Sequence, residues 1–246
     1  MKALREELQR AAEDRSLEGL EGIPFPPVEG EHPSDGPAAG DDLVVLFEQR
    51  AAMHERDLGP DHPDTLLSRN NLAGACLQAG HLKRAVPLSE RNLADSERLL
   101  GPDHPHTLTC RNNLAGAYEA DGAPDRSIPL YERALAGRER VLGPAELLTL
   151  VCRDNLARAH ELTGHPTRAV PLHERTLADR ERVLGADHPD TLLSRSNLAH
   201  AHHETGNAAR SAALFAQVLA DSERSLGPDH PATPHVRKLL AHVQGG

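Results

Sequence analysis

Apolar positions in this chain return on two periods at once. Within a segment they recur every three or four residues, the spacing of one helix face, and the whole pattern then repeats every 42 residues. Residues 59 to 100 show one full cycle. Leu66, Leu72, Ala73 and Cys76 recur at helical spacing until Gly80, which supplies a left-handed stop. A second helix is predicted from about Lys83 to Leu100. Val86, Leu88 and Leu93 face inward there, and Glu90, Arg91, Glu97 and Arg98 form a charged face. The breaker Gly59-Pro60-Asp61-His62-Pro63 precedes the first helix, with Asp64 or Thr65 placed to cap it, and Gly101-Pro102 ends the second. Pro87 falls near the start of its helix, where few or no backbone hydrogen bonds are lost.

The longer period organises the chain. LGPDHP begins at Leu58, Leu100 and Leu226, with LGADHP at Leu184 and a degenerate LGPAEL at Leu142. The same register carries Thr65, Thr107, Thr149, Thr191 and Thr233, and Arg69, Arg111, Arg153 and Arg195, without one insertion. A single hairpin cannot bury its apolar face, so the units must stack. Four complete units therefore occupy residues 59–226, and residues 227–246 form a capping helix and tail, helical from Ala232 to about Val243. Residues 42–58 read as a solitary helix of the second type, because Leu46, Glu48, Glu55 and Arg56 align with Leu88, Glu90, Glu97 and Arg98. Residues 21–41 read as a Pro/Gly-rich linker, and residues 1–20 as an amphipathic helix (over 2 to 17) out of register with the array.

Composition narrows the class. Aromatics are 2% of the chain and Trp is absent, so the core is built from Leu, Ala and Val, which points to an all-α fold. A formal charge of −10 argues against nucleic acid and against an anionic membrane surface as partners. No apolar run approaches the roughly 18 residues of a membrane span, and MKALREELQRAAEDR lacks the apolar core of a secretory signal. Cys76, Cys110 and Cys152 form no CxxC pair and leave an odd thiol, which suits a reducing cytoplasm. The excess of Arg over Lys, with heavy use of Ala, Gly, Pro and Leu, fits a GC-rich bacterium.

In NLAGAYEADGAPDRSIPLYERALAGRERVLG, from Asn113 to Gly143, residues Leu114, Ala115, Tyr118, Gly122, Ser127, Tyr131 and Ala134 sit at the signature spacings of a tetratricopeptide repeat. The 42-residue period, the Asn-Asn-Leu-Ala core and the LGPDHP connector resemble the repeat of kinesin light chains, over residues 42 to 243. Arg stands where the common 34-residue form carries a large aromatic near the start of the first helix. Similar repeats are common in actinobacterial proteins, often at the sensing end of regulatory ATPases. The resemblance implies a right-handed α-solenoid of antiparallel helix pairs, whose concave groove, lined by first helices, holds an extended peptide or a helix.

On a helical wheel of about 100° per residue, Arg69 shares the buried arc with Leu66, Leu72 and Cys76. The recurring arginines then need carboxylate partners. Glu90, Glu132 and Glu174 on the facing helix are the candidates for a register-fixing ladder, the alternative being that Arg reaches a ligand carboxylate. Asn71, Asn113, Asn155 and Asn197 recur at the edge of the open face. An amide there can bond the backbone of an extended peptide, as the resemblance implies, or a carbonyl of the neighbouring unit. The open face itself offers Asn70, Gly74 and Gln78, then Asn112, Gly116 and Glu119, the glycines leaving room for a ligand backbone. Further along stand Asp154, Arg158 and Glu161, then Ser196, His200 and His203. Only Arg158 is basic at these positions, so a ligand held by its terminal carboxylate is not expected.

Catalytic and metal chemistry find little purchase. His62, His104, His188 and His230 lie whole units apart in the connectors and read as turn residues. His200, His203 and Glu204 form the sharpest metal candidate, weakened because His202 beside them takes a core position. There is no HExxH, no Gly-x-Ser-x-Gly and no GxxxxGKS/T loop, so neither a cofactor nor a catalytic role is expected. The function expected is a protein- or peptide-binding scaffold. The alternative is a peptide-responsive sensor module acting through a partner protein. No signature names that partner or sets an oligomeric state.

Overall fold

The computed structural model describes residues 38–225 and 232–245, and among these the regular elements are all α-helices. The chain divides into two compact units, one up to Val141 and one from Leu142. The first contains α1 (Ala38–Leu58), α2 (Pro63–Gln78), α3 (Leu82–Leu100), α4 (Pro105–Ala120) and α5 (Pro124–Val141). Each helix packs on the next, and α2 also touches α4, so the first helices of successive pairs lie side by side. The second unit contains α6 (Leu147–Leu162), α7 (Pro166–Leu184), α8 (Pro189–Glu204), α9 (Ala208–Ser225) and α10 (Ala232–Gly245), again each packed on its successor. α1 starts at Ala38, ahead of the boundary predicted at 42. The predicted helix at 1–20 and the remainder of the predicted linker lie outside the described residues.

The connectors start their helices differently from expectation. The cap of α2 is His62, not Asp64 or Thr65: its Nδ1 accepts from the Asp64 N–H at 3.2 Å, and Pro63 takes the first helical position. His104 and His188 do the same for α4 and α8. In the degenerate connector Glu146 replaces the histidine, accepting from Leu148 and Thr149 N–H groups, so an acceptor is kept where the motif is lost. Thr65 is fully buried, and its hydroxyl donates to the Gly59 carbonyl at 2.8 Å, which ties the connector to the helix it opens. Gly122, in the turn between α4 and α5, has φ of 76°, a backbone that L side chains rarely adopt.

The second helices bury a stripe set differently from the one predicted. In α3 the buried side chains are Ala85, Ser89, Asn92, Leu93, Ser96, Leu99 and Leu100, whereas Val86 and Leu88 are only half-buried and flank the core. Small and polar residues at this spacing let neighbouring helices approach, and some of their polar atoms bond within the helix or to the next one. Ser96 donates to the Asn92 carbonyl at 2.7 Å, and the Asn92 amide meets Cys110 Sγ at 3.1 Å. Pro87 stands inside α3 and forfeits one ladder bond; it is exposed, so the freed carbonyl is placed towards water. α1 behaves as a second-type helix: Glu48 bonds Arg84 at 2.9 Å, and Glu55 meets Arg69 at 2.9 Å, as Glu97 meets Arg111 at 2.6 Å. At the other end Val236 and Val243 of α10 pack on Leu198, Leu214, Phe215 and Val218.

Candidate binding faces of the first helices

The recurring arginines are buried, with exposures of 5% or less, and each meets carboxylates. Those carboxylates are not Glu90, Glu132 and Glu174. Arg69 lies between Glu55 at 2.9 Å and Asp95 at 3.2 Å, and Arg195 between Glu181 at 2.8 Å and Asp221. Arg111 meets Glu97 at 2.6 Å, and Arg153 meets Asp179 at 3.0 Å. The reason is antiparallel geometry: an arginine early in a first helix lies level with the C-terminal half of the second, beyond Glu90. Guanidinium N–H groups also close the connectors, from Arg69 to the Pro60 carbonyl at 3.2 Å and from Arg153 to Pro144 at 2.9 Å. Glu90 instead accepts from the Tyr118 hydroxyl at 2.5 Å, and Arg126 lies 3.8 Å from that ring's centroid.

In the first unit the expected face brings Asn70, Asn71, Asn112 and Asn113 together, all half-buried. The Asn113 amide donates to the Asn70 side-chain oxygen at 3.2 Å, so it joins two successive first helices through a side chain. Gly74 faces open space, whereas Gly116 is buried. Gln78 is exposed at the end of α2, one position past the register of Glu119, where Leu77 stands. Glu119 itself accepts from Ser127 at 3.3 Å.

In the second unit Asn155, Arg158 and Asn197 are half-buried on their helices, and His200 is exposed, with Nε2 3.9 Å from Glu204. His203 stacks edge-on against His242 of α10, with ring centroids 5.8 Å apart. Among the described residues no group of three or more His, Cys, Asp or Glu side chains is gathered where it could hold a metal ion. Asp154 and Glu161 turn inward to a residue that sequence reasoning missed. His173 is 2% exposed, with Nδ1 3.4 Å from Asp154 and Nε2 3.3 Å from Glu161, while Arg180 holds the other Asp154 oxygen at 2.9 Å. Burial alone would lower its pKa, but the two carboxylates reverse that and raise it to about 9. The signal was available in the register, where Ser89, Tyr131, His173 and Phe215 share one position.

Stacked antiparallel helix pairs with this connector chemistry define an all-α solenoid of the tetratricopeptide class, a class of protein-interaction scaffolds. Tetratricopeptide repeat models match residues 82–140, 149–190 and 191–232, together more than half of the chain. A Podosopora anserina kinesin light chain protein of nearly identical TPR-like repeats is similar in structure, with a TM-score of 0.69 at 26% identity, covering 91% of this chain and 95% of that one. A variant of the same protein gives 0.71 at 26% identity, over 92% and 95%. BtubC (BKLC) from P. vanneervenii has the same fold, with a TM-score of 0.66 at 17% identity, over 84% of this chain and 81% of that one. No curated protein matches the sequence. The chain belongs to the tetratricopeptide repeat family, with repeats of the kinesin-light-chain type.

Proposed function

We propose that this protein is a non-catalytic scaffold that binds an extended segment or helix of a partner protein on its first-helix faces, the concave groove of the solenoid. The observation that carries the reading is the pairing of Asn70 with Asn113 beside Gly74. Side-chain amides stand there at the spacing of successive helices, with open space next to them. Each amide in such a pair keeps polar atoms for a ligand backbone. Asn71, Asn112 and Glu119 extend the face in the first unit, and Asn155, Arg158, Asn197, His200 and His203 supply it in the second. Nucleic acid and membranes are not the partners on this reading: the net charge is −10, and no described helix is long and apolar enough to cross a membrane. Cys76, Cys110 and Cys152 are buried and outside any disulfide, which fits a bacterial cytoplasm.

The test is selection from a displayed library of random peptides, followed by affinity measurement on the wild type and on an Asn71→Ala/Asn113→Ala/Asn155→Ala variant of matched thermal stability. An enriched peptide that the variant binds at least about tenfold more weakly supports the reading, since a lost polar contact is worth about 1 to 3 kcal/mol. Equal affinity for both proteins, or no enrichment, refutes it.

A further inference from the structure

Asp95, Asp179 and Asp221 occupy one register of the second helices, and the same register in α5 holds Gly137. In α3 that single carboxylate serves three arginines. Asp95 lies 3.2 Å from Arg69, 3.9 Å from Arg91 and 3.2 Å from Arg98. Their counterparts one repeat on are Arg111, Arg133 and Arg140, and the carboxylate they would share is gone. Glu97 still meets Arg111, and Asp103 meets Arg140. Three guanidinium groups therefore have two carboxylates here, against three (Glu55, Asp61 and Asp95) around the first cluster. Arg111 is 5% exposed, and its Nε is buried without a hydrogen-bond partner. Beside Gly137 opens a cavity of about 520 Å³, lined by Arg111, Arg133 and Arg140 together with Glu97, Asp103 and Gly137, while a Leu108 methyl fills the place that a Cβ at residue 137 would take.

We propose that this cavity is a carboxylate-binding site, in which an acidic group of a ligand takes the place of the missing aspartate. The register argues for carboxylate in particular, because the same three-arginine arrangement closes around an aspartate in α3. A guanidinium stays charged at any physiological pH and offers planar N–H groups matched to a carboxylate. The acidic group comes either from an Asp or Glu side chain of a peptide or from a small free carboxylate. The site is separate from the first-helix faces proposed above and shares no residue with them, so either reading can fail alone.

The test uses the full chain labelled with 15N, following the Arg111 Nε–Hε resonance by NMR. Succinate is titrated against sodium chloride at equal ionic strength, and a five-residue peptide with a central Asp, acetylated at its N-terminus and amidated at its C-terminus, against its Asn counterpart blocked in the same way. A saturable shift is expected with a carboxylate and not with chloride or the Asn peptide. A response to succinate alone assigns a small carboxylate, and tighter binding of the Asp peptide assigns a peptide side chain. Gly137→Asp supplies the carboxylate from within and is expected to weaken binding about tenfold or more, whereas Gly137→Ala retains it. Both variants require a Leu108 methyl to move, as a Cβ at this position would meet it. Leu66, Leu150 and Leu192 hold the same register beside their aspartates. Arg133→Gln, at an exposed position on the rim, gives a second route and should weaken binding without touching the core. No saturable shift with either carboxylate, undiminished binding by Gly137→Asp or Arg133→Gln, or equal loss in Gly137→Ala and Gly137→Asp would overturn the proposal.

Discussion

The buried His173 makes the stability of the second unit depend on pH in a defined direction. Its pKa is raised from an ordinary 6.5 to about 9: burial opposes the charge, and the carboxylates of Asp154 and Glu161, at 3.4 and 3.3 Å, outweigh it. A group whose folded pKa lies above its unfolded value binds more protons when folded. Its contribution is therefore complete below about pH 6.5 and disappears as pH rises through 9. The difference corresponds to about 3 kcal/mol at pH 6, falling below about 1 kcal/mol by pH 9. Two measurements check this. A pH titration of the His173 imidazole by NMR should give a midpoint well above 7. Urea unfolding followed by circular dichroism should show stability declining between pH 7 and 9. His173→Phe, which places the residue of Phe215 at the same register, should be less stable at pH 6.5 but flat from pH 7 to 9. An imidazole that titrates near 6.5, or a wild-type decline that persists in His173→Phe, would refute the reasoning.

Three further outcomes are expected. Arg153→Ala removes a fully buried guanidinium together with its bonds to Asp179 and the Pro144 carbonyl, while Asp179 keeps Arg182, so it should cost about 3 kcal/mol in urea unfolding, more than truncating the exposed Arg98. His62→Ala should cost about 1 kcal/mol through loss of the α2 cap, and His62→Asp should recover most of it; equal loss in both would disprove the capping role. Cys110 is buried and its thiol is pushed up to about 12, chiefly by desolvation, so the native protein at pH 8 should leave it unlabelled by iodoacetamide, while unfolded chains react.

The helices and their order were legible because a strict repeat reports the same element several times over. The helix predicted from Lys83 to Leu100 begins one residue earlier, at Leu82, and the arginines predicted to be buried are buried. Charge partners were less legible. Glu90 was a reasonable partner for Arg69 by face, but which carboxylate is level with it depends on how far along the second helix the first one starts. Glu161 looked like a groove residue on a wheel, yet it turns to His173, on another helix.

By itself, then, the sequence determined the period, the helix pairs, the breakers between them and the residues that must be inside. All of these follow from local propensity and from the spacing of apolar positions along one helix. The tertiary structure alone decided which carboxylate neutralises each arginine, and that a glycine at 137 leaves three arginines around a cavity. Those outcomes depend on distances between residues 14 to 37 positions apart in the chain, and those distances exist only once the helices have packed.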